Sequence, residues 1–343
     1  MAFTSISGAS MRASNEFGTR SCWLLASSVV ALSLTVTTAG ALTINDTFLS
    51  SFTGTAVTEA QIQAATNTVA TLYSNSATIN ILFGADSSLR NGAESETVPY
   101  LASYTNYTNL LSANSALNPA NTTLATAVAN LPNGNGANGL VPVIATPAQL
   151  QALGVNVTGN IDGNGNVVTG GIFDGIIDVG STASISAVFH EIDEILGGGG
   201  QGSYLGAASQ NFCSVNFHTS CYGSLDLYRY SAPGVGSFST DPNATAYLSV
   251  DGGVTNIANF NQSGVGDSGD FTTSPCLIQS WEVCSNPDTF IRGSVEDFML
   301  QSIGYDPLIT ATPLPAALPL LATGLGGLGL LGWRRKRRAQ AFA

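Results

Sequence analysis

Lysine occurs once in these 343 residues, at Lys336, and histidine twice, at His190 and His218. Two histidines exclude a metal site built from three imidazoles. Basic residues are few and displaced to the ends: of ten, Arg12 and Arg20 lie near the N-terminus and Arg334, Arg335, Lys336, Arg337 and Arg338 near the C-terminus. Between Leu42 and Ile309 only Arg90, Arg229 and Arg292 stand against 21 carboxylates, a net charge of −18. Such a body is repelled by nucleic-acid phosphates and by anionic lipid, so nucleic acid is excluded as a partner and divalent cations are the natural counter-ions. No internal repeat is present, which sets repeat architectures aside.

Cysteine is sparse as well, with five in the chain. Cys22 lies in an apolar stretch, Cys22 to Thr38, that is preceded by Arg12 and Arg20 and followed by Ala39-Gly40-Ala41. This is the pattern of a secretory signal peptide over residues 1–41, with cleavage expected after Ala41 by signal peptidase. The remaining Cys213, Cys221, Cys276 and Cys284 form two pairs close in sequence. Export makes disulfides the expectation; three connectivities are open, and proximity favours Cys213 with Cys221 and Cys276 with Cys284. The spacings are wider than those of a Cys₄ zinc cluster.

What the chain does contain is Val188-Phe189-His190-Glu191-Ile192-Asp193-Glu194-Ile195-Leu196-Gly197. At about 100° per residue, Ile185, Val188, Ile192, Ile195 and Leu196 form one apolar stripe, while His190 and Glu194 stand one turn apart on the other side, facing a cleft. Ser181, Thr182 and Ser184 offer N-cap oxygens, and the glycines from Gly197 to Gly200 end the helix. The segment resembles the HExxH helix of zinc peptidases, in which two histidines at i and i+4 hold the metal and the intervening glutamate is the general base. Glu194 stands where the second histidine would be, and Gly200 where a metzincin carries its third. A carboxylate replaces imidazole at the same spacing because zinc accepts both at similar distances. The expected metal ligands are therefore His190, Glu194 and either Asp226 or His218, with Glu191 as base. Zinc is the expected cation. Carboxylate ligands cancel more of its charge than imidazoles do, which predicts a slower enzyme with a higher pH optimum, or acceptance of manganese.

The C-terminal segment 312–338 orders a proline motif, Thr312-Pro313-Leu314-Pro315, an uncharged stretch of 18 residues from Ala316 to Trp333, and the basic cluster Arg334 to Arg338. That length just spans a bilayer, with the basic cluster on the cytoplasmic side. The order resembles the PEP-CTERM sorting signal, with Leu314 in the usual acidic position. The resemblance implies export, anchoring in the inner membrane through the C-terminal helix, and sorting to the cell surface or extracellular matrix by an exosortase.

The body, 42–309, is long enough for one sizeable core. Leu42–Phe52 and Ala77–Phe83 read as strands, Thr58–Tyr73, Tyr104–Ser115, Asn121–Leu131, Pro147–Leu153 and Glu296–Ile303 as helices, and Leu131–Gly139 as a loop. Gly170–Val179 gives a strand before the His190 helix, and Ala246–Val250 another. The expected fold class is α+β, of zincin-like metalloprotease architecture. Asp162-Gly163-Asn164-Gly165-Asn166 alternates oxygens like a calcium loop but has Val167 where glycine is required, so a turn is the simpler reading. Asp251, Asp267 and Asp270 either bind calcium or cap turns.

The body also resembles a family of bacterial secreted proteins classed as metalloproteases, many with PEP-CTERM tails, whose helix reads HEI-x-E. The matching blocks are Thr78–Gly84, His190–Glu194, Asp226–Gly234, Tyr247–Gly253, Gly266–Asp270 and Ile303–Asp306. The resemblance implies that Glu194 belongs to the pattern and makes Asp226, which lies inside a block, the better third ligand than His218. The reading from sequence is thus a surface-sorted metal-dependent peptidase acting on protein or peptide. The alternative is a noncatalytic surface or biofilm-matrix protein with structural divalent-cation sites.

Overall fold

In the computed structural model, residues 2–5, 28–31, 41–131, 141–203, 205, 221–263, 265–282 and 289–309 are described. The chain divides into two compact units, Met1–Leu308 and Ile309–Ala343, and every element named here belongs to the first. Near the N-terminus β1 (Ala2–Ser5) and β2 (Ser28–Ala31) pair antiparallel.

The alternation that begins at Leu42 forms β3 (Thr43–Phe48), and the apolar run after Ala77 forms β4 (Thr78–Ala85). They pair in parallel, Thr43 opposite Thr78 through Phe48 opposite Phe83. A parallel pair needs a crossover, and α1 (Glu59–Ala70) supplies it. Its start is fixed by a capping box in which Thr58 Oγ1 accepts from the Gln61 N–H and Gln61 Oε1 accepts from the Thr58 N–H. Ile62, Ala65 and Val69 bury one face of this helix.

Parallel to β4 on its other side runs β8 (Gly175–Val179), and the antiparallel β5 (Ala93–Glu96) closes the edge, giving the order β3-β4-β8-β5. Of the ten expected positions from Gly170 to Val179, the strand takes the last five. The composition of β5, Ala93-Glu94-Ser95-Glu96, carries no strand signal; ladder pairing with β8 places it there.

A second sheet joins β1 and β2 to β6 (Tyr100–Ala102), β7 (Val143–Ala145) and β9 (Tyr222–Gly223). Helices α2 (Tyr104–Leu117), α3 (Thr122–Ala129), α4 (Pro147–Ala152) and α6 (Val295–Ser302) form where helical periodicity is read. A third sheet contains β10 (Arg229–Ala232), β11 (Val235–Gly236), β12 (Tyr247–Leu248) and β13 (Ala258–Asn259). The architecture is α+β, with one main core shared by α1, β4, β8 and the His190 helix α5 (Ile185–Ile195).

Most of the expected secretory leader, residues 132–139 of the Asn- and Gly-rich loop, and the whole proline-apolar-arginine tail, with Pro313, Pro315 and Arg334 to Arg338, lie outside the described residues. Among the described residues no helix is long and apolar enough to cross a membrane.

Candidate metal centre

Helix α5 is delimited by chemistry at both ends. Of the three candidate N-caps, Ser184 is the one used, its Oγ accepting from the Ala187 N–H at 3.2 Å. At the exit Gly197 takes φ +96°, its N–H donates to the Glu194 carbonyl at 2.9 Å, and the Gly198 N–H donates to the Asp193 carbonyl at 2.8 Å. That pair of bonds is a Schellman closure, which requires the left-handed backbone that glycine tolerates. The apolar stripe packs on the sheet at close range: a Cβ on Gly175 would stand 2.0 Å from Ile195 Cδ1. Glycine in β8 therefore lets the helix approach the strand.

The other face carries the chemistry. His190 and Glu191 line a pocket of about 250 Å³ with Asp267, Asp270, Ile278 and Trp281. Glu194 lies behind them, 4% exposed, so the expected opening onto a cleft holds for His190 and not for Glu194. His190 Nε2 is 3.6 Å from Glu194 Oε1 and 3.5 Å from Asp270 Oδ2. These three residues form the group of His, Cys, Asp or Glu side chains, among the described residues, whose ligand atoms converge closely enough to hold a metal ion.

Their neighbours fix them. His190 Nδ1 lies 3.0 Å from the Ile278 carbonyl, which in the neutral ring places the proton on Nδ1 and the lone pair on Nε2. Glu194 Oε2 accepts from Ser95 Oγ at 2.6 Å, and Oε1 from the Gly200 N–H at 3.0 Å. The position of a metzincin's third histidine is thus a backbone donor here. It has no room for a side chain, since a Cβ on Gly200 would lie 2.4 Å from Glu194 Oε1 and 2.8 Å from Asp267 Oδ2. Gly269 meets Gly199 in the same way, a Cβ standing 1.7 Å from the Gly199 carbonyl oxygen, so glycines on both sides let the Asp267–Asp270 loop close onto the helix exit.

The titration of the cluster is that of anions in excess. Burial raises Glu191 well above the carboxylate range, and the charge of Glu194 adds to it. Burial also raises Asp270, although the His190 charge opposes it. Burial pushes Glu194 upward too, but its bonds to His190, Ser95 and Gly200 prevail and hold it low. For His190 burial lowers the pKa, and the carboxylates of Asp270 and Glu194 more than reverse that. Asp267, exposed at the mouth, is raised by packing of its inner side and by Glu194 and Asp270. A cation entering here displaces protons.

Comparison with protein-family models, with curated proteins and with solved structures finds no match. The site is therefore read from its own residues.

Asp226 is a correction. The third converging carboxylate is Asp270, while Asp226 is fully buried and serves another network: its Oδ1 accepts from Ser203 Oγ and its Oδ2 from the Gly223 N–H at 2.7 Å. Arg229 lies beside it, Nε 4.0 Å from Asp226 Oδ1. The guanidinium donates to Ser203 Oγ at 2.7 Å and to the Ser268 carbonyl at 3.0 Å, and stacks 4.1 Å from the Phe260 ring centre. Asp226 thus braces the loop that carries Asp270 from a distance. His218 lies outside the described residues, as do Cys213 and Cys284; Cys221 and Cys276 are each disulfide-bonded.

The other carboxylates read as calcium candidates satisfy local backbone. Asp162 Oδ1 accepts from the N–H groups of Asn164 and Asn166, and Asp251 Oδ1 from the Thr255 N–H, both turn caps. Asp270 had a sequence signal in Gly266–Asp270, but one that points equally to calcium. Ser95 and Gln279 had none.

Proposed function

We propose that the chain is an exported, surface-sorted metal-dependent peptidase with a zincin-like body. The observation that carries this reading is the convergence of His190 Nε2, Glu194 Oε1 and Asp270 Oδ2 beside a pocket into which Glu191 also faces. The donor set fits a divalent cation. Ligands about 2.1 Å from a tetrahedral ion lie roughly 3.4 Å apart, and the separations from His190 Nε2 are 3.5 and 3.6 Å. The donors are one imidazole and two carboxylates with no buried lysine or arginine among them. Zinc or manganese both suit this nitrogen and oxygen set; calcium, which takes six or more oxygens, suits it less.

The chemistry such a cation supplies when bound is polarisation of a carbonyl and acidification of water. The chain's own residues would do the rest. His190, oriented by the Ile278 carbonyl, and Glu194, oriented by Ser95 and Gly200, hold the centre in register. Glu191, adjacent in sequence to the ligand His190, takes a proton from the attacking water and delivers it to the leaving nitrogen as the carbon–nitrogen bond breaks. The products are a carboxylate and an amine. The secretory leader, the exosortase-type tail and membrane anchoring before sorting are supported by the sequence order described above.

A second reading, a noncatalytic surface protein with a structural cation, is favoured by the depth of the site, Glu194 and Asp270 being 4% and 2% exposed. Casein hydrolysis by the purified chain, beside a Glu191→Gln variant and with cation content measured in both, separates them. The peptidase reading expects full cation content and a hydrolysis rate lowered by about 10²–10⁴-fold in the variant. Equal rates in the two, or none in either with the cation bound, would remove it.

A further inference from the structure

The two ring nitrogens of His190 are contacted by consecutive residues. Ile278 takes Nδ1 through its carbonyl, and Gln279 places its side-chain Nε2 3.1 Å from His190 Nε2. The same amide nitrogen donates to Asp270 Oδ1 at 2.9 Å. Gln279 is completely buried, and its Oε1 has no hydrogen-bond partner. A buried amide oxygen without a partner is costly, so a well-packed glutamine in this state calls for an explanation.

Rotation of the amide about its last bond gives one. Such a rotation exchanges the positions of Nε2 and Oε1 while leaving the shape of the side chain unchanged. The nitrogen then leaves its contacts with His190 Nε2 and Asp270 Oδ1 for a place without a partner, a cost that only a cation bound on the other side of the amide can offset. The oxygen moves to the place now within about 3 Å of His190 Nε2 and Asp270 Oδ1. Three electron-rich atoms meeting there repel one another unless a cation lies between them. With a cation they form a shell.

We propose that Gln279 supplies, through Oε1, a fourth protein donor to the cation held by His190, Glu194 and Asp270, an inference that rests on the metal-centre reading above. The backbone is built to hold it there: the Gln279 carbonyl accepts from the Phe271 N–H at 2.8 Å and its N–H donates to Glu296 Oε1 at 3.3 Å. Space is reserved for the amide as well. A Cβ on Gly199 would lie 1.9 Å from Gln279 Nε2, so the glycine run at the helix exit clears the volume the amide occupies. One nitrogen and three oxygens from the protein fill a tetrahedral shell, whereas an octahedral ion keeps two positions for water and substrate. The donor count therefore favours manganese over zinc for turnover.

The test uses the full chain, freed of metal and titrated with Zn²⁺, Mn²⁺ and Co²⁺, with affinity and the visible Co²⁺ spectrum as readouts. Gln279→Leu is expected to weaken binding by about 10–100-fold and to change the Co²⁺ band, and Gln279→Glu to restore both. His190→Ala serves as the control for the centre itself. No saturable binding to the unaltered chain would sink the metal-centre reading and this proposal with it. Binding that His190→Ala abolishes but Gln279→Leu leaves within about twofold, with an unchanged spectrum, would overturn the Gln279 assignment alone. If Gln279→Leu does not fold, the unaltered chain decides: the side-chain NH₂ resonances of Gln279 are expected to shift on Zn²⁺ addition as the amide turns. Unmoved resonances would overturn the proposal.

Discussion

Two clusters of buried charge flank the glycine-rich exit of α5, and they are neutralised by different means. On one side Asp226 is covered by Arg229, Ser203 and the Gly223 N–H, a carboxylate and a guanidinium in one network. Burial lowers Arg229 only to about 10, so it keeps its charge. On the other side Glu191, Glu194 and Asp270 surround a single imidazole. The first cluster contains its own counter-ion and closes on itself. The second is short of positive charge, and its ligand atoms point at one another. Sequence offers the same residue types for both; the difference lies in whether the chain brings an arginine to the carboxylate.

The comparison is broken most severely by Arg229→Met. With the guanidinium gone, Asp226 stays buried without the arginine charge beside it, an expected loss of about 3–5 kcal/mol of unfolding free energy in urea titrations. The Ser268 carbonyl also loses its donor, so the Asp270 loop should loosen and cation affinity fall with stability. A stability change below about 1 kcal/mol would show that the two clusters do not differ as argued.

The metal-side cluster should respond less in stability and more to metal. Glu194→Gln removes one of several crowded anions but also the charge that His190, Ser95 and Gly200 stabilise, so in metal-free protein it is expected to cost less than Arg229→Met does. Adding Zn²⁺ or Mn²⁺ at about 100 times its Kd stabilises the unaltered chain by about 2.7 kcal/mol, and the variant should gain almost none of this. Chelation reverses the gain. Thermal unfolding with and without metal reads both effects, and equal stabilisation of the two proteins would place the cation elsewhere.

Gly200→Ala sharpens the distinction at smaller cost. Its Cβ collides with Glu194 Oε1 on one side and Asp267 on the other, an overpacking expected to cost about 1–3 kcal/mol. The damage should fall on cation affinity, because Gly200 N–H is a ligand-orienting donor, and the Asp226 cluster should keep its hydrogen bonds.

How much of this was legible in the sequence follows from the range of each signal. Helix α5, the short Ser/Thr stretch that caps it and its Gly197 exit were readable because caps and periodicity act within a few residues. The parallel strands β3 and β4 and the helix between them were readable for the same reason. The edge strand β5 was not, since Glu94 and Glu96 carry no strand preference and only pairing with β8 makes a strand of them. The sequence points to Asp226 and the structure brings Asp270 to His190 because the two lie 32 and 76 positions beyond Glu194, too far for periodicity or capping to say which carboxylate reaches the helix. The presence of Arg229 three residues after Asp226 was the available clue. An internal arginine is rare in this chain, and a carboxylate beside one is already neutralised.

The smallest expected effect lies away from both clusters, at Asp306, which pairs with amides instead of with any charge. Asn121 Nδ2 donates to Oδ1 at 3.1 Å, and the Asn75 and Asn114 amides reach Oδ2 at 3.3 Å each. Burial outweighs these bonds and raises the carboxyl from 3.8 to about 6. The folded chain therefore holds this proton to higher pH than the unfolded chain does. Between about pH 4 and pH 6 the folded state binds more protons, so this group's contribution to stability is full below pH 4 and declines as pH rises through 6. Asp306→Asn keeps the shape and removes the titration. Urea midpoints across pH 4 to 7 should fall less steeply in the variant than in the unaltered chain, and a difference that grows in the opposite direction would mean that the three amides, and not burial, govern Asp306. A third way of handling a buried carboxylate would then have to be set beside the guanidinium of Arg229 and the cation sought by His190, because amide dipoles alone would be stabilising its charge.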